Sequence, residues 1–231
     1  VIGSGATAVT VVPEMAKKAA KVTMLQRSPT YVVARPAEDP VANWLRAKLP
    51  SKLAYTLTRW KNVLMGMYFF RVCQKTPDKA RDLILNGVKE QLGEDYTARH
   101  FTPRYNPWDQ RLCLVPNGDL FEAIKAGKAD VVTGHIDRFT EKGIQLTSGE
   151  TLDADIVVTA TGLNLQLLGG MELTVDGQKP VLADRLIYRG MMVSDVPNMA
   201  FCFGYTNASW TLKVDLTCEY VCRLLNHMKL N

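Results

Sequence analysis

The chain has 231 residues, of which 47% are hydrophobic and 22% are charged, and its formal net charge is +5. These values are ordinary for a soluble globular chain with one or two domains. The modest positive charge helps to attract an anionic cofactor, but it does not indicate nucleic acid, which we do not expect as a partner.

The spacing of the cysteines and histidines argues against two further classes of protein. The five cysteines include no C-x-x-C pair: Cys73, Cys113, Cys202, Cys218 and Cys222. This pattern favours a reduced, cytoplasmic setting and argues against a disulfide reductase of the two-dinucleotide type. The three histidines are far apart in the sequence and lack ligand spacing: His100, His135 and His227. We therefore expect no metal site.

The first residues predict a glycine turn between a strand and a helix. Gly3, Gly5 and Ala8 fit the G-x-G-x-x-G/A fingerprint of a dinucleotide-binding βαβ unit. Gly3 permits the tight turn, Gly5 lets the backbone approach a pyrophosphate, and Ala8 is small enough for the helix to pack on the strand. Free N–H groups at the helix start, together with the helix dipole, then hold the phosphates. The predicted cofactor contacts of this stretch are Gly3, Ser4, Gly5, Ala6, Thr7 and Ala8.

The helix after this turn is predicted over residues 6–20, with Pro13 in its interior as a source of a kink or a lost hydrogen bond. The sequence starts two residues before Gly3 and without an initiator Met. A strand of such a unit needs about five residues. We therefore expect the sequence to be a piece of a longer protein.

The predicted second strand, residues 21–27, indicates which dinucleotide binds. An NAD site normally ends this strand with Asp or Glu, about 20 residues after the glycines, to bind the ribose 2′-OH. Here Gln26 is neutral, Arg27 offers a guanidinium and Ser28 a hydroxyl, as expected for the 2′-phosphate of NADP. A charge-assisted hydrogen bond is worth roughly 1.5–3 kcal/mol, so Arg27 alone favours NADP over NAD by about one to two orders of magnitude.

A helical insertion is predicted over residues 41–93, after a proline-containing loop at 28–40. One apolar stripe recurs at spacings of three and four residues: Leu53, Leu57, Trp60, Leu64 and Met67. A second helix is predicted to start at Pro77 and to bury Leu83, Ile84 and Val88.

The insertion is also basic, with Asp78 as the only acid between positions 41 and 81. Its basic residues are Arg46, Lys48, Lys52, Arg59, Lys61, Arg71, Lys75, Lys79 and Arg81. A basic amphipathic helix can lie on a membrane surface. We favour instead a helical cap that packs on the Rossmann core and keeps a solvated basic face.

The remaining elements are shorter. In chain order they are a loop over 101–111, a strand over 112–115, a helix capped by Asn117 or Asp119 and ending near Lys125, and a β-meander with strands over 130–133, 136–140 and 144–147. Residues 156–159 predict a fully buried parallel strand, which ends with Thr161 and Gly162 at the sheet edge where ligands bind. The last predicted elements are strands over 173–175, 186–193 and 199–203 and a helix over 209–228.

Five short motifs along the chain carry a resemblance to a known family. They are Gly3-Ser4-Gly5-Ala6-Thr7-Ala8, Gln26-Arg27-Ser28-Pro29, Ala160-Thr161-Gly162, Pro197-Asn198 and Gly204-Tyr205. In this order they resemble the class B flavin-dependent monooxygenases, the group that includes Baeyer–Villiger monooxygenases. Two longer motifs resemble the branch that activates thioamide drugs: Tyr105-Asn106-Pro107-Trp108-Asp109-Gln110-Arg111 and Gly204-Tyr205-Thr206-Asn207-Ala208-Ser209-Trp210.

The resemblance implies an α/β fold with two parts. Residues 1–159 would form a Rossmann-like NADPH-binding domain with its helical insertion at about 41–93. Residues 160–231 would form the C-terminal part of an FAD-binding Rossmann domain. The first half of the FAD domain would precede Val1, since neither its glycine fingerprint nor the family's F-x-G-x-x-x-H signature is present. We therefore expect this piece alone to hold FAD weakly and to be inactive.

The resemblance also implies an enzyme that uses FAD, NADPH and O₂. In this family NADPH reduces FAD, a C4a-peroxyflavin forms, and one oxygen atom enters a ketone or moves to the sulfur of a thioether or thioamide. Arg111 matches the arginine that stabilises the peroxyflavin and places NADP⁺. Thr161 and Gly162 match the link between the two domains, close to the cofactors. Three more residues are expected to face the flavin from the start of the last helix: Tyr205, Thr206 and Asn207.

One alternative stays open, in which the chain is a truncated, non-catalytic NADP-binding module. The substrate also stays open, because ketone and organosulfur oxidation would use the same flavin chemistry.

Overall fold

The structure, a computed structural model, describes residues 1–110, 112–205 and 210–230. It divides into two compact units, Val1–Leu163 and Asn164–Asn231. Neither unit contains, among the described residues, a helix long and apolar enough to cross a membrane.

The first unit alternates helices and strands. Its helices are α1 (Ala6–Ala16), α2 (Pro40–Lys48), α3 (Ser51–Lys75), α4 (Pro77–Leu92), α5 (Glu94–His100) and α6 (Asp119–Lys125). Its strands are β1 (Val22–Gln26), β2 (Val32–Arg35), β3 (Cys113–Pro116), β4 (Ala129–Thr133), β5 (Ile136–Thr140), β6 (Gly143–Leu146) and β7 (Thr151–Asp153).

A parallel sheet forms the base of the candidate site. Strand β1 pairs with β4 on one side, with Gln26 opposite Thr133. On its other side, the Gly3 N–H donates to the Leu25 carbonyl at 2.8 Å. Ile2 bridges in parallel to both Leu25 and Thr159. Four chain segments therefore bring their carboxyl ends to one edge of the sheet.

Helix α1 packs on this sheet through small and β-branched side chains. Ala8 and Val12 have no exposed surface, and they belong to a core that includes Met24 and Val131. The predicted extension to residue 20 is wrong, because α1 ends at Ala16 and residues 17–20 form a turn that leads into β1. Helix propensity alone would allow a longer helix, but the connection to β1 requires the chain to reverse there.

Strand β2 lies in a segment that the sequence predicted as loop. It pairs in parallel with β3, with Val32 opposite Cys113. Prolines at positions 29 and 36 bound the strand without interrupting it. The prediction was wrong because the partner strand lies some 80 residues later in the chain, beyond what local proline content can reveal.

The predicted β-meander is also different. Strand β4 joins the parallel sheet beside β1, and the antiparallel sheet consists of β5, β6 and β7 in that order. Short strands look alike in sequence whether their partner is a neighbour or a distant strand, so spacing alone assigned β4 wrongly. The turn at 117–119 is confirmed as the start of α6, but Gly118 is the N-cap, and the Asn117 side chain accepts from the Ala37 N–H instead.

The helical insertion is confirmed, and α4 begins at Pro77 as predicted. Its buried side contains Ile84 and Val88, whereas Leu83 is 65% exposed, contrary to the prediction. The predicted packing of α3 is also wrong: its buried residues are Ala54 and Cys73, and its whole apolar stripe is exposed. Periodicity shows which side chains share a face, but it does not show whether anything covers that face.

Residues 156–159 are not the buried strand that was predicted. The Ile2 N–H donates to the Val158 carbonyl at 2.8 Å, so the segment pairs along one edge. Ile156, however, is 72% exposed. Burial of this hydrophobic run would need a layer on its outer side, and the described residues of the first unit provide none.

The second unit contains two short 3₁₀ turns, a hairpin and a helix. Strands β8 (Ile187–Tyr188) and β9 (Met192–Val193) pair antiparallel around Arg189 and Gly190, which both have positive φ. The predicted single strand over 186–193 is therefore a hairpin. Residues 199–203 form no strand. The last helix is confirmed as α7 (Trp210–Leu230).

Candidate functional site

A cleft of about 600 Å³ opens at the carboxyl edge of the parallel sheet. Its lining comes from the glycine turn, the ends of β1 and β4 and the segment after Thr159. The residues are Ile2, Gly3, Ser4, Gly5, Ala6, Thr7, Leu25, Arg27, Ser28, Gly134, His135, Ile136, Ala160, Thr161 and Gly162. The carboxyl edge of a parallel sheet, where the first strand meets its helix, is the usual place for a dinucleotide.

The two glycines of the turn have different surroundings. Gly3 has a φ of +132°, and a Cβ on it would lie 2.3 Å from the Ala160 carbonyl oxygen. Gly5 is the N-cap of α1, and a Cβ on it would meet nothing within 4 Å. The first residue therefore permits the close approach of two backbone segments, and the second leaves open space in the cleft. That open space, beside the unpaired N–H groups of the first helical turn, fits a pyrophosphate.

Arg27 and Ser28 line the cleft across from the glycine turn. The Ser4 hydroxyl donates to the Ser28 carbonyl at 3.3 Å, which ties the turn to the end of β1. Arg27 is exposed, and its guanidinium has no hydrogen bond or ion pair within the described ranges. No lining residue is acidic. A free guanidinium without a competing carboxylate fits a phosphate group.

A buried polar network fixes the strand ends below the cleft. The Gln26 side chain is 1% exposed and donates from Nε2 to the His100 carbonyl at 2.7 Å and to Thr133 Oγ1 at 2.9 Å. The His100 Nδ1 lies 2.8 Å from the same Thr133 hydroxyl. Burial lowers the pKa of His100 below its ordinary value. The network therefore holds a neutral histidine and fixes the residue directly before Arg27.

The loop over 101–110 is held by the helical insertion. The Arg81 guanidinium donates to Asn106 Oδ1 at 2.6 Å, and its Nε donates to the Tyr31 hydroxyl at 3.3 Å. The Tyr31 hydroxyl donates to the Tyr105 carbonyl at 2.9 Å. Burial raises the pKa of Tyr105, so its hydroxyl stays protonated in its contact with Thr30 Oγ1 at 2.8 Å. Helix α4 thus anchors the segment that leads to position 111.

The predicted site residues fall into three groups. The cleft gathers the largest group: Gly3, Ser4, Gly5, Ala6, Thr7, Arg27, Ser28, Thr161 and Gly162. Ala8 lies behind the cleft with no exposed surface, in contact with the core. Tyr205 belongs to the second unit, where the Lys213 Nζ lies 5.7 Å from its ring centroid. Arg111, Thr206 and Asn207 lie outside the described residues.

Sequence reasoning missed Gly134, His135 and Ile136 as lining residues. They follow β4, and the Gly134 N–H donates to the Gln26 carbonyl at 2.9 Å, directly beside Arg27. These residues could have been predicted from the pairing of β4 with β1. The sequence analysis missed that pairing because it placed β4 in the antiparallel meander. Within the described ranges, no cluster of three or more His, Cys, Asp or Glu side chains is arranged to hold a metal ion.

Comparisons with known proteins found no family model that matches the chain, but they found similar sequences and similar structures. The FAD-containing monooxygenase EthA of Mycobacterium tuberculosis (strain ATCC 25618 / H37Rv) is 59% identical over 230 residues, which are 99% of this chain and 47% of that protein. The probable FAD-binding monooxygenase AlmA of Acinetobacter baylyi (strain ATCC 33305 / BD413 / ADP1) is 54% identical over 229 residues, 99% of this chain and 46% of that protein. The chain thus spans about half the length of these curated relatives.

Two solved structures share the fold at low sequence identity. The crystal structure of OTEMO in complex with FAD and NADP (form 1) matches with a TM-score of 0.73 and 18% identity over 99% of this chain and 51% of that chain. The open crystal structure of cyclohexanone monooxygenase matches with a TM-score of 0.69 and 18% identity over 100% of this chain and 54% of that chain. These matches confirm the predicted α/β, Rossmann-like fold. Over nearly its whole length the chain is therefore similar to about half of each of these FAD-containing monooxygenases.

Proposed function

We propose that this chain supplies the NADPH site of an FAD-containing monooxygenase. In this proposal residues 1–159 hold NADPH, and residues 160–231 are the C-terminal part of the FAD-binding domain. The observation that carries the proposal is the cleft itself, where a glycine turn, a helix start and the unpaired Arg27 meet without a carboxylate. The similarity to FAD-containing monooxygenases, and the FAD and NADP of the OTEMO complex, support the choice of cofactors.

Each side of the cleft has a separate task in this proposal. The backbone around Gly5 and the first turn of α1 hold the pyrophosphate, because the first N–H groups of a helix have no intrahelical partner and the space beside Gly5 is open. Arg27 and Ser28 bind the 2′-phosphate. Thr161 and Gly162, which line the cleft, orient the far half of the coenzyme. When bound, NADPH supplies a hydride to FAD, which then activates O₂.

We assign the electrostatic part of the oxygenation to Arg111. A fixed guanidinium stabilises negative charge that develops beside it, and such stabilisation is usually the largest contribution to catalysis. The loop before position 111 is held to α4 by the hydrogen bond from Arg81 to Asn106. Tyr205, Thr206 and Asn207 are proposed to face the flavin. The substrate class is a ketone or an organosulfur compound such as a thioether or thioamide.

Coenzyme binding by the purified chain tests the first step. We expect NADP⁺ to bind about 10- to 100-fold more tightly than NAD⁺, and Arg27→Gln to remove most of this preference. Arg46→Gln is the matched control, because it removes the same charge from an exposed position on α2, outside the cleft. Isothermal titration calorimetry measures both dissociation constants. Equal binding of the two coenzymes by the unmodified chain would contradict the proposal.

The Arg111 assignment is tested in a form of the protein that includes the FAD-binding half. We expect Arg111→Ala to lower oxygenation by at least about 100-fold while flavin reduction by NADPH continues. Stopped-flow absorbance follows flavin reduction, and product formation is measured separately. Oxygenation at an unchanged rate would show that Arg111 has another role.

A second candidate function is a non-catalytic NADP-binding module. The observation that favours it is that all the residues lining the cleft lie within Val1–Leu163. Flavin content and NADPH binding, measured together on a form of the protein that includes the FAD-binding half, separate the two possibilities. Bound NADPH without bound flavin in that form supports the module, and bound flavin supports the enzyme.

A further inference from the structure

Two exposed cysteines of the second unit lie close together. The Cys202 Sγ is 3.8 Å from the Cys218 Sγ, which is in the range of a weak hydrogen bond between thiols. Both residues are exposed, and both thiols are free. Cys202 follows the hairpin of β8 and β9, whereas Cys218 lies on α7. Because 16 positions separate them in the sequence, no local cysteine motif indicates the pair.

The backbone beside Cys202 is held by the hairpin. The Phe201 N–H donates to the Met191 carbonyl at 2.9 Å. Met191 is buried and comes directly before β9. The residue before Cys202 therefore has a fixed place relative to the hairpin, although the Cys202 side chain is exposed.

Helix α7 contacts the same hairpin through residues that lie before and after Cys218. The Lys213 Nζ donates to the Arg189 carbonyl at 2.9 Å. The Arg189 Cζ in turn lies 4.8 Å from the centroid of the Tyr220 ring, as in a cation–π contact. None of these contacts involves a sulfur atom, so the thiols are brought together by the packing around them and not by their own interaction.

The distance between the sulfurs is short enough for a disulfide to form with little movement. An S–S bond of about 2.05 Å requires them to approach by roughly 1.7 Å. Rotation about the side-chain bonds of two exposed residues supplies a movement of this size while the backbone stays in place. Cys73 is a contrast, because it is 1% exposed and burial raises the pKa of its thiol.

We propose that Cys202 and Cys218 form a reversible dithiol–disulfide site, which a low-molecular-weight disulfide oxidises. One cysteine of the pair, as its thiolate, attacks a sulfur of the reagent, breaks the S–S bond and releases one thiolate, which leaves a mixed disulfide on the protein. The other cysteine then attacks the protein sulfur of this mixed disulfide and releases the second half of the reagent. In total the two protein thiols give up two electrons and two protons, and the reagent becomes two thiols.

The bridge would close a loop over 203–217. Oxidation therefore restricts the segment that leads into α7, and reduction releases it. The loop contains Tyr205, Thr206 and Asn207, which the proposed function assigns to the flavin, so this consequence for the flavin rests on the proposed function. The bridge itself does not, because both cysteines and the contacts around them belong to the second unit.

Mass spectrometry of the 231-residue chain, incubated with an excess of oxidised glutathione, tests the proposal. We expect the loss of two hydrogen atoms, a linked pair of Cys202 and Cys218 peptides in a non-reducing digest, and reversal by dithiothreitol. Cys218→Ser should instead leave a mixed disulfide with glutathione at Cys202, because the second attacking sulfur is gone. Cys222→Ser is the matched control. It removes an exposed thiol one turn further along α7 and should bridge like the unmodified chain.

Hydrogen exchange of the oxidised and the reduced chain measures the effect on the segment. We expect backbone amides over 203–209 to exchange about 3- to 10-fold more slowly in the oxidised chain. Cys218→Ser should exchange equally under both conditions, and Cys222→Ser should respond like the unmodified chain. Circular dichroism of each variant checks that the exposed substitution leaves the fold intact.

The possible outcomes separate this inference from the proposed function. Glutathione on both cysteines without a bridge, a bridge to Cys222, a bridge between two chains, or two thiols that stay reduced would each overturn the dithiol site. A bridge with unchanged hydrogen exchange would overturn its effect on the segment. Loss of the NADP⁺ preference, measured on the same chain, bears only on the proposed function, since the cleft belongs to the first unit.

Discussion

Gly3 and Gly5 lack side chains for different reasons, and the difference can be measured. Gly3→Ala would place a methyl group 2.3 Å from the Ala160 carbonyl oxygen, at a φ of +132° that alanine avoids. We expect it to destabilise the fold by about 1–3 kcal/mol, because the backbone must shift. Gly5→Ala is the matched control for stability. It fills open space at an N-cap and should cost less than about 1 kcal/mol.

The same two variants separate folding from binding. Gly5→Ala should weaken NADP⁺ binding, since its methyl group occupies the space proposed for the pyrophosphate. Urea unfolding gives the stability, and calorimetry gives the affinity. A stable Gly3→Ala protein would show that the contact with Ala160 relaxes easily.

His100 predicts a pH dependence of stability. Burial lowers its pKa in the folded chain, while the unfolded chain has the ordinary value near 6.5. Between these values the unfolded state binds more protons, so stability is complete above pH 7 and decreases as the pH falls through 6.5. We expect His100→Gln to lose less stability than the unmodified chain between pH 7.5 and pH 5.5. Urea unfolding at both pH values checks this, and equal losses would contradict it.

At the scale of elements, the Arg81 guanidinium on α4 holds the loop over 101–110 in place through hydrogen bonds. Arg81→Met removes the hydrogen bonds to Asn106 and Tyr31. Hydrogen bonds to charged groups are worth about 1.5–3 kcal/mol, and partial exposure of Arg81 reduces this to about 1 kcal/mol here. We expect faster hydrogen exchange in the loop, measured by mass spectrometry. Asp78→Asn is the control, because it breaks only the exposed ion pair of the same arginine.

Local patterns predicted the elements whose structure depends on neighbours in sequence. The turn at Gly3, the strand before Arg27, the start of α4 at Pro77 and α7 all follow from caps, prolines and periodicity. Strand β2 and the pairing of β4 with β1 depend on distant partners, and both were missed. For the same reason the sequence predicted Arg27 in the cleft but not His135, which reaches the cleft only through that pairing.

At the scale of the whole molecule, the two compact units should respond differently to coenzyme. The proposed NADP⁺ contacts that line the cleft belong to Val1–Leu163. At 100 times its dissociation constant, a ligand stabilises the state that binds it by about 2.7 kcal/mol. We expect NADP⁺ to slow hydrogen exchange throughout the parallel sheet and to leave α7 unchanged. Uniform protection of both units, or protection of α7 alone, would contradict the assignment.

Helix α3 has a consequence for the behaviour of the chain in concentrated solution. Its uncovered stripe includes Trp60 and Leu64, each 59% exposed, along a 25-residue helix. Contiguous apolar surface of this kind promotes self-association, and the charge of +5 provides only weak mutual repulsion. Self-association through this helix therefore lowers the solubility of the chain, and Leu64→Lys is expected to raise it.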